Sequence, residues 1–91
     1  LEQKRAIVSV IGKDQVGIIA KVTTILAEET INILDISQTI LQDFFTMMMI
    51  IDVTKYEDLE ALQQKLADLG EALGLTINVQ LEDIFQAMHR V

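Results

Sequence analysis

The 91-residue sequence contains no cysteine, no proline and no tryptophan. Without cysteine it can form neither disulfides nor thiolate metal sites. It is also poor in cations: seven Lys and Arg face fourteen Asp and Glu, for a formal net charge of −7. None of the seven lies between Lys21 and Lys55. Such a chain lacks the positive footprint that nucleic acid requires, so no direct nucleic-acid partner is expected. Aromatics make up only 4% of the residues, too few for a base-stacking sheet. No apolar stretch reaches membrane-spanning length and no basic-plus-apolar leader is visible. No membrane partner is expected, and the chain reads as cytoplasmic. The lone His89 has no cysteine and few carboxylates near it in sequence, which makes a poor metal site. No metal and no cofactor are expected.

What the sequence does have is apolar surface, 51% of its residues. A single domain of this length buries roughly 60–65% of its unfolded surface. That is little interior for so much apolar content, which points to an oligomer. The pattern begins with a nearly continuous apolar strand over residues 4–12. Ala6, Val8 and Val10 lie on one face and Ile7, Ser9 and Ile11 on the other, as in a central strand. Lys13-Asp14-Gln15 reads as loop, with Asp14 as N-cap of a helix over 16–29. Ile18, Ile19, Val22, Ile25 and Leu26 give that helix one buried face.

A second strand runs from Thr30 to Gln42. Leu34, Ile36, Gln38 and Ile40 share one face, and Asp35, Ser37 and Thr39 share the other. A tight Gln42-Asp43 turn leads into a third strand, Phe44 to Val53. Its residues Phe45, Met47, Met49, Ile51 and Val53 face the helices. Thr54 to Glu57 fits a capping box ahead of a helix with a stripe from Leu59 to Leu73, and Gly74 suits its C-terminus. The spacing is too short for a coiled coil. Leu75 to Glu82 alternates as a fourth strand. Asp83 can cap a tail helix carrying Ile84, Phe85, Met88 and Val91.

The order β-α-β-β-α-β plus tail helix predicts an α+β, ferredoxin-like sandwich. It has a four-stranded antiparallel sheet of order 4-1-3-2, with two helices on one face. The chain is a single domain over 1–91, with a core at 4–82 and the tail helix at 83–91. The other sheet face carries Ile7, Ile11, Phe44, Met48 and Ile50, a large apolar exposure. Strand two lies at an edge, and residues 31–42 contain no Lys, Arg or Pro to guard it. Pairing of that edge with its own copy predicts a homodimer. The open sheet face leaves a tetramer possible.

The corner at 12–18 is the candidate site. A strand feeding a helix through a glycine-containing loop leaves backbone N–H groups and the positive helix end pointing outward, an anion-receiving geometry. With this corner, the Asn32-Ile33 start of strand two and the tail from Asp83 to Arg90, the chain resembles the ACT domain from about Arg5 to Glu82. The tail is similar to that of small stand-alone ACT proteins akin to the glycine-cleavage-system transcriptional repressor family. One departure is Val16, where many ACT domains carry proline before the helix-opening glycine.

The resemblance implies a non-enzymatic regulatory module that binds a small amino-acid-like effector between protomers. Gly12, Asp14, Gln15, Val16, Gly17 and Ile18 of one chain would meet Asn32 and Ile33 of another. An α-carboxylate would take N–H groups near Gly17, and an α-ammonium would take Asp14 or a loop carbonyl. A helix terminus supplies about 0.3–2 kcal/mol, whereas a millimolar ligand needs about 4 kcal/mol. A closed, two-chain pocket is therefore required. Output would pass to a protein partner. The same residues also allow a ligand-free scaffold, with Asp14 as a cap and Gly17 as a packing residue. Acylphosphatase chemistry on this fold fails, because a phosphate-cradling Arg is missing and Asp14 follows Lys13 directly.

Overall fold

The computed structural model describes residues 3–88. Val91, His89 and Arg90, assigned above to the tail, lie outside the described residues. The elements follow the predicted order: β1 (Arg5–Lys13), α1 (Ile18–Glu28), β2 (Asn32–Leu41), β3 (Phe44–Asp52), α2 (Leu59–Leu73), β4 (Thr76–Leu81) and α3 (Glu82–Met88). The strands form one antiparallel sheet of order β2-β3-β1-β4, which is the expected 4-1-3-2 read from the other edge. This is the ferredoxin-like fold.

The core lies between the sheet and the two long helices. Ala6, Val8 and Val10 of β1, and Phe45, Met47, Met49 and Ile51 of β3, are buried beneath Ile18, Val22 and Leu26 of α1 and Leu62 and Leu66 of α2. Ile19, expected on the buried face of α1, is instead exposed. It lies one position beyond Ile18, and the face that meets the sheet is narrower than the apolar stripe in the sequence.

Both long helices end in a Schellman motif. In α2, Leu75 N–H donates to the Gly70 carbonyl at 2.8 Å, and Gly74 adopts the left-handed conformation at φ 72°. In α1, Ile31 N–H donates to Leu26 O at 2.9 Å and Thr30 N–H to Ala27 O at 3.0 Å. Here the left-handed position is held by Thr30, at φ 59°, where a β-branched residue is strained.

Three capping assignments change. Asp83, expected to cap the tail helix, lies inside the first turn of α3, which begins at Glu82. The α2 cap is Asp58, whose carboxylate accepts from Ala61 N–H at 3.0 Å, not the Thr54 box. Thr54 is engaged elsewhere: its hydroxyl accepts from Lys4 N–H at 2.8 Å and donates to Asp52 at 2.6 Å. Asp14 does not cap α1, because two further residues intervene and Gly17 occupies the N-cap position.

Strand β2 is the exposed edge, and Ile33 alone of its residues is half-buried. A bulge between Ile33 and Asp35 shifts its register on β3. Ile33 thereby lies opposite Ile51, and Ile36 opposite Met49, both on the helix side. Strict alternation would have split them. Asp35 accepts from the N–H of Ile36 at 2.9 Å, so one edge donor is already taken. The tail helix α3 packs on the outer face of its own sheet, against β1 and β4. It buries Ile7 there, which corrects the expectation that Ile7 lies in the open.

Candidate functional site

The corner after β1 is formed by residues 14–17. Strand β1 runs on to Lys13, which was expected in the loop, and Gly12, at the end of the predicted first strand, lies within it opposite Phe45. A Cβ added there would stand 2.5 Å from Leu75 Cδ2, so this glycine lets β1 pass close to the end of α2. Asp14 N–H donates to Asp43 O at 2.7 Å, which ties the corner to the β2–β3 turn. The Asp14 carboxylate is exposed. Gln15 turns toward α2, and its amide donates to Leu73 O at 2.9 Å. It therefore satisfies a carbonyl left over at that helix end. Val16 is 98% exposed.

Gly17 closes the corner at φ 91° and ψ 5°, with no side chain capping α1 and no acidic residue in its first turn. The contrast with α2 is direct: Asp58 and Glu60 fill that helix start. The positive end of α1 is thus left unneutralised by its own sequence. Ile18 points into the core and contributes its backbone to the corner. Lys21, which the sequence did not mark as part of the site, is a further member of this corner. Its Cε stands 3.8 Å from where a Gly17 Cβ would be. The signal was its position one turn after Gly17.

The other half of the predicted site lies elsewhere in the chain. Asn32 and Ile33 open β2 at the C-terminal end of α1, beside Thr23, Thr24 and Ala27 in an open groove of about 400 Å³. Eleven residues of helix separate the two halves, about 16 Å at 1.5 Å per residue. A single chain therefore does not bring Gly17 to Asn32. The lining carries no charge, and the hydroxyls of Thr23 and Thr24 donate back to carbonyls of their own helix at 2.7–3.2 Å. No group of three or more His, Cys, Asp or Glu able to hold a metal occurs among the described residues. No helix among them is long and apolar enough to cross a membrane.

Residues 4–80 match the ACT domain family. The chain belongs to that family. A relative from Methanosarcina mazei, a UPF0237 protein, is 47% identical over 92 aligned positions and spans both chains in full. Among solved structures, an ACT domain protein from Streptococcus pneumoniae superposes with a TM-score of 0.81 at 40% identity, covering 97% of this chain and all of that one. A structure described as a glycine cleavage system transcriptional repressor superposes at 0.77 and 20% identity, over 89% of this chain and 47% of that one. The last likeness is one of fold.

Proposed function

We propose that this ACT domain is a regulatory module that binds a small amino-acid-like effector between two copies of the chain. One observation carries the reading. The hydrogen bond from Asp14 to Asp43 holds the corner at the end where β2 finishes, whereas Asn32 lies where β2 begins. Antiparallel pairing of two β2 edges about a two-fold axis reverses one strand against the other. The partner's strand then begins beside this chain's corner. Asn32 and Ile33 of one copy thus meet Asp14, Gly17 and Lys21 of the next, and two equivalent sites form per dimer.

In that pocket the effector carboxylate takes the open N–H groups at the start of α1, with Lys21 adding positive charge. The ammonium takes the exposed Asp14 carboxylate. Asn32 offers a donor and an acceptor from the second chain. Gln15, engaged with Leu73, fixes the loop and does not bind. The output is a change in the surface offered to a protein partner. No catalytic step is assigned to the chain.

A thermal-shift screen of the twenty amino acids tests this. Binding to the folded state at about 100 Kd adds roughly 2.7 kcal/mol, several degrees or more of Tm in a domain this size. One chemical class should stabilise the wild type and leave Gly17→Val unmoved. If no amino acid moves the wild type, the second reading stands: a ligand-free oligomerisation scaffold, favoured by the engagement of Gln15.

A further inference from the structure

We propose that the groove between α3 and the outer face of the sheet is a second ligand site, and that it takes an uncharged planar heterocycle with amide-like edges. The groove measures about 310 Å³, the lower end of small-molecule sites. Its floor is set by register. Asn78, Ser9 and Met48 form one row across β4, β1 and β3. Gln80 and Ile7 lie in the next row. Phe85 and Met88 of α3 form the wall. That wall is fixed at its root by the forked Arg5–Glu82 pair, with contacts of 2.6 to 3.1 Å.

The lining chemistry selects the occupant. Among the described residues no charged side chain lines the groove, so none of them pairs with the carboxylate or ammonium of an amino acid. Among the described residues, the Ser9 hydroxyl and the Asn78 and Gln80 amides make no hydrogen bond. A wholly apolar occupant would bury these three without partners, which is costly. A ring with alternating donors and acceptors satisfies two side-chain amides and a hydroxyl at once. The Phe85 ring and the Met48 and Met88 thioethers suit the face of such a ring. The groove lies over β3, β1 and β4, away from the β2 edge. The proposal is therefore independent of the dimer and of the corner site.

Titration of the full chain, uniformly ¹⁵N-labelled, with adenine and with uracil tests it, using benzoate and glycine as charged comparators. The expected result is saturable shifts at Ser9, Met48 and the Asn78 side-chain amide with a heterocycle, and none at Gly17 or Asn32. Asn78→Ala and Ser9→Val should each weaken that binding about tenfold or more while keeping the wild-type Tm. The proposal fails if neither heterocycle gives saturable shifts at millimolar concentration. It also fails if both variants bind as the wild type does. Shifts of the same signals with protein concentration alone would assign the groove to a second copy and overturn it.

Discussion

Thr30 and Gly70 show how single positions resolve competing terms. Thr30 sits at the left-handed position that ends α1, where an L side chain costs roughly 1–2 kcal/mol. Thr30→Gly should therefore raise stability by about 1 kcal/mol in urea unfolding. The extra freedom glycine gives the unfolded chain offsets only part of that relief. At Gly70 the terms oppose. Helix propensity favours Ala by about 1 kcal/mol. A Cβ there, however, would stand 2.7 Å from the Leu75 backbone carbonyl, and overpacking against an element that cannot yield costs about 1–3 kcal/mol. Gly70→Ala should destabilise in the same measurement. The sequence offered no reason for Gly70, because its neighbour is Leu75, which turns back only after the helix has ended. The αL role of Gly74 was legible, since glycine just past an apolar stripe is a local signal.

The helices are joined to each other and to the sheet by a few polar contacts. Glu29 at the end of α1 accepts from the Tyr56 hydroxyl at 2.6 Å and from Lys65 of α2 at 2.6 Å. The Lys65 and Tyr56 hydrogen bonds hold the Glu29 carboxyl below its ordinary value. In turn the Glu29 carboxylate pushes the Tyr56 hydroxyl up to about 12, with partial desolvation adding to the effect. A tyrosine raised above its ordinary value near 10 favours folding fully below pH 10. That contribution is lost as pH rises through about 12. Tyr56 is the one tyrosine, so tyrosinate absorbance follows it directly. The wild type should lose stability between about pH 10 and 12 relative to Tyr56→Phe. Equal slopes for the two proteins would contradict the contact. At the root of α3, Glu82→Gln weakens the pair with Arg5. Because Arg5 is 39% exposed, the global cost should be below about 1 kcal/mol. Faster hydrogen exchange within α3 should be the clearer sign. None of these contacts could be read from the sequence, because their partners lie 27 to 77 positions apart.

At the scale of the molecule, the order of elements, the sheet topology and the inward-facing strand residues were legible, because period-two and period-three-to-four patterns are set locally. The bulge at Ile33/Asp35 was not, since it is a feature of pairing. The candidate site was legible only in part. Gly17 stood out as a loop glycine, whereas the turn of Gln15 toward Leu73 depends on where α2 ends. The edge of β2 carries Ile36, Ile40 and Leu41 exposed, and these belong to the proposed dimer. Gln38→Pro removes an N–H and adds bulk at that edge. It should reduce the mass seen by light scattering to that of a monomer. The most direct test of a shared effector site is complementation with the amino acid found in the thermal screen. Gly17→Val and Asn32→Leu are each expected not to bind. Co-refolded, they form mixed dimers in which one corner and one strand start are both intact. Recovery of roughly a quarter of the wild-type sites, for random pairing in a two-fold dimer, is the expected result. No recovery, with mixed dimers demonstrated by native mass spectrometry, would contradict a site built from two chains.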